Sequence, residues 1–430
     1  MSSRFVMNFV LGLAMTGISS MAFAEAPAVK GPFSFNPLTE STLPGSQLPC
    51  SPLNLPAGFS QSILVQEKNN CPDAQMTVNV VAGENDLTDM NVVNETGAQA
   101  GRYLYRTHEN GGGKAAISAI DLQTGNTAVY TASDFGIVPA WSRLDGIDWT
   151  PWGTLLAAEE NGAAGRLFEC DADGLIVHCF DRPAVGRMSH EGIAAAKNGT
   201  VYVGDELNGG SICRFVPAQY GDLSAGILYA LNVPGSVTVC DGTTGAGKTP
   251  TGPAEWIALI PGQNGVVTDP AVNARAAADE AGASDYCRPE DAELIGPNLY
   301  FATTTTKNVL QIPINTPTPV VTEFAGINTN MNNESDVSNF GLHSPDNLAS
   351  DYAGNLYIVE DNSGESDVWV ATKDLDNDGS ADNVSLFSTL NTVGAEGTGI
   401  YFPPTKPKTM YINVQHAADG NDMTMAVTKD

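Results

Sequence analysis

The sequence predicts an all-β protein, a six-bladed β-propeller with an insertion in the middle of the chain. Three observations lead there. A short pattern returns six times: two strand-forming residues, two more residues, then an acid or another polar metal-type ligand. Its copies run from Leu104-Tyr105 into His108-Glu109-Asn110, Leu155-Leu156 into Glu159-Glu160-Asn161 and Val201-Tyr202 into Asp205-Glu206, then from Leu299-Tyr300 into Thr303-Thr304-Thr305, Leu356-Tyr357 into Glu360-Asp361-Asn362 and Met410-Tyr411 into Val414-Gln415-His416. Secondly, Asp89, Asp145, Glu191, Glu290, Asp346 and Glu396 each precede a mostly apolar run that ends in a turn, such as Lys197-Asn198-Gly199, and leads into that strand. Thirdly, the marker positions 105, 156, 202, 300, 357 and 411 are spaced at 46 to 57 residues, except for one gap of 98. Periods near 50 residues signify propeller blades or solenoid units.

Taken in order, residues 1–24 read as a secretory signal: Arg4, an apolar stretch from Phe9 to Met15, and Ala22-Phe23-Ala24 as a small-x-small cleavage site. A single arginine favours the general export route over the twin-arginine one, and a periplasmic or secreted location follows. Residues 25–60 are rich in Pro and Ser and are expected to be irregular. Residues 61–430 should form one propeller domain. The long gap places the insertion within 218–286, with a degenerate seventh blade as the alternative; Ala271–Ala283 is the best candidate for a short helix. Strands near Phe59–Val65 and Val78–Val81 should complete the blade that begins at Glu396, because a closed ring has no free sheet edges. No later segment is apolar enough to span a bilayer. Export permits disulfides. Cys50 is expected to pair with Cys71 and Cys170 with Cys179, whereas Cys213, Cys240 and Cys287 leave one pair and one thiol undecided.

Each acid-led run and the strand after it read as a β-hairpin. A hairpin brings the start of its first strand beside the end of its second, so leading acid and trailing cluster share one end. Six hairpins around an axis then make a carboxylate-rich ring. The chain carries 49 Asp and Glu against 20 Lys and Arg, a net charge of −29, which excludes nucleic acid as a partner. Two carboxylates ~4 Å apart repel by ~4 kcal/mol at an effective dielectric near 20. Acids that converge in register must therefore bind cations, hold protons or pair with Arg and Lys. With few basic residues near the repeats, cations are the favoured answer, and oxygen ligands favour calcium.

The expected metal ligands are Asp145, Glu159, Glu160, Glu191, Asp205, Glu290, Asp291, Asp346, Glu360 and Glu396. Consecutive strand residues face opposite ways, so at most one acid of each pair Glu159-Glu160, Asp205-Glu206 and Glu360-Asp361 should point at a given ion. In Arg288-Pro289-Glu290-Asp291 the guanidinium is a rigid fork suited to phosphate or carboxylate. In Ser189-His190-Glu191-Gly192 the register singles out Glu191, while His190 reads as an ordinary core histidine. His108 and His416 end the first and last units and would approach each other on closure. Asp374, Asp376, Asp378 and Asp382 have the D-x-D-x-D-G spacing of a calcium loop around Gly379 and read as a structural site. There is no P-loop, dinucleotide fingerprint or H-E-x-x-H motif.

Together these segments resemble the PhoX alkaline phosphatase family. The resemblance rests on Thr150-Pro151-Trp152-Gly153-Thr154 followed by Glu159-Glu160-Asn161, on Ser189-His190-Glu191-Gly192 and Arg288-Pro289-Glu290-Asp291, and on Pro345-Asp346-Asn347-Leu348, Glu396-Gly397-Thr398-Gly399 and Gln415-His416. It implies an exported six-bladed propeller that hydrolyses small-molecule phosphate esters with a buried cluster of calcium and iron. By that resemblance Glu159, Glu191, Glu290, Glu360 and Glu396 are metal ligands, Arg288 holds the phosphate, and Arg288, Glu290 and Glu191 form the catalytic set. One position departs: members carry an iron-ligating Cys where this chain has Asp145. A carboxylate there favours calcium or another oxygen-loving ion over a thiolate-bridged iron pair. The expectation is a monomeric metal-dependent phosphatase. A single-calcium lactonase or phosphotriesterase, and a non-catalytic calcium-binding propeller, are the alternatives.

Overall fold

The computed structural model describes residues 28–42, 45, 48–80, 85–241, 247–326, 341–362 and 366–430; the expected signal at 1–24 lies outside them. The described residues form six antiparallel sheets arranged as the blades of a propeller. The innermost strands are Thr88–Val93, Leu144–Trp149, His190–Ala195, Pro289–Ile295, Pro345–Ser350 and Glu396–Tyr401, and each opens with or contains one leading acid. Each pairs with the marker strand that follows it: Tyr103–His108, Leu155–Glu159, Val201–Asp205, Asn298–Thr303, Leu356–Glu360 and Thr409–Gln415.

The ring closes on the sixth blade. Phe59–Gln66 pairs antiparallel with Met423–Lys429, as the sequence suggested. The edge beyond it is Met76–Thr77, in parallel pairing, and not a strand beginning at Val78. The long gap holds two outer strands, Gly252–Pro253 and Glu255–Ala258, and the helix Pro270–Ala281, capped by Asp269 with Pro270 in its first turn. Among the described residues this stretch makes no seventh blade. Disulfides join Cys50 to Cys71, Cys170 to Cys179 and Cys240 to Cys287; Cys213 is free and buried.

The recurring Leu/Tyr pairs are core. Tyr105, Tyr202, Tyr357 and Tyr411 are among the largest fully buried side chains, and Leu156 takes the same place in the second blade. They pack between neighbouring blades, so the repeat that counts the blades also glues them together.

Neighbouring inner strands approach so closely that glycine is required after two of the acids. A Cβ on Gly146 would lie 1.9 Å from the Glu191 carbonyl oxygen, and one on Gly192 would lie 2.4 Å from the Asp291 Cα. Both obstacles are backbone of the next blade and cannot rotate away. Gly146→Ala is therefore expected to cost about 3 kcal/mol or more in a urea titration, at the upper end for overpacking. Gly111→Ala, with open space around it, should be close to neutral.

Candidate metal centre

In five blades the leading acid is the first of two residues that oppose a single residue on the marker strand. Asp89-Met90 oppose Thr107, Asp145-Gly146 oppose Ala158, Glu191-Gly192 oppose Gly204, Glu290-Asp291 oppose Ala302, and Asp346-Asn347 oppose Val359. Such a bulge re-aims a side chain and ends the regular pairing. Two residues ahead of the leading acid the backbone is left-handed in five of the six blades, at Leu87, Arg143, Arg288, Ser344 and Gly394, the exception being Ser189. The carbonyl two residues ahead of the acid accepts the N–H of the residue just beyond the marker strand: Leu87 from Glu109, Arg143 from Glu160, Ser189 from Glu206, Arg288 from Thr304 and Ser344 from Asp361, at 2.8–3.1 Å. The same backbone device, repeated around the ring, thus sets the second trailing residue beside the leading acid.

The result is a set of inward carboxylates in two groups. Asp89, Glu109 and Asp145 each offer an oxygen within 4.8 Å of the other two, and so do Glu191, Glu290 and Asp346. Glu160, Glu206, Asp361 and Glu396 complete the ring. Beyond burial, like charges act on two of them: Glu206 and Glu109 raise Glu160, and Asp361, Asp346 and Asp89 raise Glu396. Burial first, then the neighbouring charges, pushes Asp89, Asp145, Glu191, Glu290 and Asp346 well above the usual carboxylate range. The same causes push Glu160 up to about 8 and Glu396 up to about 10. Few cations answer them. Arg288 Nε lies 3.0 Å from Glu290, contacts Glu206, and its Nη2 is 3.8 Å from Asp361. Burial works against its charge, but Glu290 and Glu206 outweigh that and hold it protonated. Arg143 reaches Glu160 at 3.6 Å, and His416 reaches Glu396 at 3.3 Å.

Several expected ligands stand elsewhere. Glu159 receives two hydrogen bonds from Arg166, at 2.6 and 2.7 Å, and one from the Ser142 N–H. Asp205 is held by Arg275 of the helix at 2.5 and 2.6 Å and by the Ser189 N–H. Glu360 accepts from Trp369 Nε1 at 2.9 Å and from the His343 N–H. These three end their marker strands and face away from the ring, because strand alternation gives the inward place to the next residue. Asp291 faces away from Glu290, accepts the N–H groups of Ala292 and Leu348, and lines a cavity with Glu293 and Asp148. His108 donates from Nδ1 to the Asp86 carbonyl and accepts at Nε2 from Ser118, so it takes no part in the ring. His190 is buried and bonded to the Gly186 carbonyl. Glu109, Glu206 and Asp361 were not singled out by the sequence, though the fixed offset from the marker strand carries all three. In the acidic loop, oxygens of Asp374, Asp376 and Asp382 cluster within 4.8 Å, while Asp378 turns to accept from the Ser380 N–H.

The Arg166–Glu159 pair gives a direct check on this sorting. Arg166→Ala should destabilise the fold by about 3–5 kcal/mol in chemical denaturation, because it strands a buried carboxylate. It should leave the amount of divalent metal bound per folded chain unchanged.

A family model, Alkaline phosphatase PhoX, matches residues 161–418. The chain belongs to the alkaline phosphatase PhoX family. The matched segment carries Glu191, Arg288, Glu290, Asp346 and Glu396, while Asp89, Glu109 and Asp145 lie ahead of it. The structure of Pseudomonas fluorescens PhoX in complex with vanadate, a transition state analogue, is 17% identical in sequence, covers 91% of this chain and 98% of its own, and superposes with a TM-score of 0.65. Two further structures are more distant. A gluconolactonase from Xanthomonas campestris is 13% identical over 95% of this chain and 99% of its own, with a TM-score of 0.47. Virginiamycin B lyase from Staphylococcus aureus is 13% identical over 87% of this chain and 99% of its own, with a TM-score of 0.45. No curated protein matches this sequence. PhoX membership and the shared fold make this chain a phosphate-ester hydrolase built on a six-bladed propeller.

Proposed function

We propose that the chain is an exported phosphomonoesterase that works with divalent cations, calcium foremost, held by the inward carboxylates. The observation that carries this reading is the ring itself: two carboxylate triads, buried at four of their six acids, with Arg288 against Glu290 of the second. A phosphate monoester is an anion, and ten converging carboxylates repel it unless cations intervene. The residues fit such ions. The buried Asp145 Oδ1 has no hydrogen-bond partner. The triads offer only carboxylate oxygens, the donor set of hard cations. The free thiol among the described residues, Cys213, is buried in a blade core. Asp89, Glu109 and Asp145 would hold one ion, and Glu191, Glu290 and Asp346 another, with Glu160, Glu206, Asp361 and Glu396 around them. Asp374, Asp376 and Asp382 would take a structural calcium.

Ions bound there supply Lewis acidity, neutralising charge on the phosphoryl group and acidifying water. The protein's own groups do the rest. Arg288 stays charged and presents a fork to the phosphoryl oxygens. Glu206 and Glu290 both hold its Nε. The bulged backbone holds the acids in place before substrate arrives, so little reorganisation is required on binding. Export is supported by the signal-like N-terminus and by three disulfides among the described residues. No helix among the described residues is long and apolar enough to cross a membrane, and we expect a monomer.

Hydrolysis of a chromogenic phosphate monoester by calcium-loaded, calcium-and-iron-loaded and chelator-stripped protein tests the reading. Turnover that chelation abolishes and metal restores is expected. No turnover with both metals loaded would overturn it. One bound ion with lactone or phosphotriester turnover would point to the single-calcium alternative.

A further inference from the structure

Arg143 and Arg288 occupy the same slot in two blades. Each stands two residues ahead of its leading acid, Asp145 or Glu290. Each has a left-handed backbone, with φ of +52° and +54°. The carbonyl of each accepts the N–H that follows its marker strand, from Glu160 at 2.9 Å and from Thr304 at 3.1 Å. The other blades fill the slot with Leu87, Ser189, Ser344 and Gly394, so a guanidinium is placed there twice, on either side of the third blade.

The two differ in how their donors are used. Arg288 is 36% exposed and engaged by Glu206 and Glu290, whereas Arg143 is 52% exposed and meets Glu160 at 3.6 Å, beyond hydrogen-bonding distance. Arg143 therefore keeps donors directed to solvent at the mouth of the ring. A left-handed backbone disfavours arginine and suits glycine, which the sixth blade uses at Gly394.

We propose that Arg143 is a second anion-binding residue, contacting the phosphoryl oxygens of the ester from the second blade while Arg288 does so from the fourth. This rests on the phosphatase reading above. Its contribution is to substrate and phosphate affinity: a guanidinium at the rim is available to the free anion as well as to the reacting one, so it lowers KM more than it raises kcat.

The test is Arg143→Gly in the full-length, metal-loaded protein. Glycine removes the side chain and relieves the left-handed strain, so folding should be preserved, which thermal melting checks. The expected result is a KM for a chromogenic phosphate monoester, and a Kd for orthophosphate by titration calorimetry, raised about tenfold or more, with kcat within threefold and metal content unchanged. Arg143→Lys should recover part of both. A KM and an orthophosphate Kd within twofold of the parent protein, or a loss of bound metal that accounts for the whole defect, would overturn the proposal. Absence of turnover in the parent protein would instead count against the phosphatase reading, and the orthophosphate titration would still decide the role of Arg143.

Discussion

Glu290→Gln is expected to lower kcat/KM for phosphate monoesters by about a thousandfold or more. Glu290 is 1% exposed, shares a triad with Glu191 and Asp346, and lies 3.0 Å from Arg288. One substitution therefore touches both the proposed ion and the residue that receives the phosphate. Groups that merely support a metal ligand are worth about 10–100-fold, and a charged member of the triad should be worth more. Glutamine keeps the shape and removes one of several mutually repelling buried charges, so the variant should fold at least as well as its parent in the absence of metal. The adjacent Asp291→Asn is the internal comparison. Its carboxylate faces away and accepts the Ala292 N–H on one oxygen and the Leu348 N–H on the other, so asparagine keeps one of the two bonds and some stability is lost without touching the ring. Its turnover should stay within about fivefold, since it removes no group from the reacting site. Steady-state kinetics on both variants, with metal content measured on the same samples, checks the contrast.

The second large effect concerns stability. In metal-free protein Asp89, Glu109, Asp145, Glu160, Glu191, Glu290, Asp346 and Glu396 have pKa values above their unfolded values, so the folded chain binds more protons than the unfolded chain. Stability then falls as pH rises. The window opens at the ordinary carboxylate range and extends through about 8 for Glu160 and about 10 for Glu396. Burial is the leading cause at both sites, and like-charge repulsion adds to it. Chelator-treated protein should melt at its highest temperature near the acidic end of a pH 5 to 10 series and at progressively lower temperatures above it. Calcium should restore stability most at the alkaline end, by about 5 °C or more at saturating concentration, because it binds the folded state and offsets the repulsion. Calorimetric melting across that series, with and without calcium, reads both effects. A metal-free melting temperature that rises from pH 5 to pH 9 would contradict the account.

The blades were readable in the sequence because one residue type serves two purposes there. Tyr105, Tyr202, Tyr300, Tyr357 and Tyr411 are large enough to fill the space between blades, and their spacing is the blade length. The leading acids were readable for a related reason, since each precedes its marker residue by 10 or 11 positions in four blades and by 15 or 16 in the first and last. The facing of the trailing pairs was not assigned residue by residue. Alternation says that one of Glu159 and Glu160 is inward, but the outward one is identified only by its arginine. For Asp205 that partner is Arg275, 70 residues away on the helix of the insertion, beyond the reach of any local pattern. A scarcity of basic residues near the repeats suggested that the acids lacked partners; Glu159 finds one seven residues on in its own blade, and Asp205 one from the insertion. The bulges and the left-handed residues ahead of them leave no composition signal, because Leu87, Arg143, Arg288, Ser344 and Gly394 have nothing in common except position. The third disulfide was undecided for a similar reason: Cys240 and Cys287 flank the insertion, and only the folded path of that segment brings them together.

Most of the account depends on one claim, that the inward acids and not the acidic chain at large hold the divalent cations. Elemental analysis of metal-replete, desalted protein tests it directly when applied to the parent chain, Glu191→Gln and Glu159→Gln. The parent and Glu159→Gln should retain the same number of divalent ions per chain, and Glu191→Gln at least one fewer, with monoester turnover lost in parallel. Equal metal content in all three, or full turnover by parent protein free of bound metal, would contradict it.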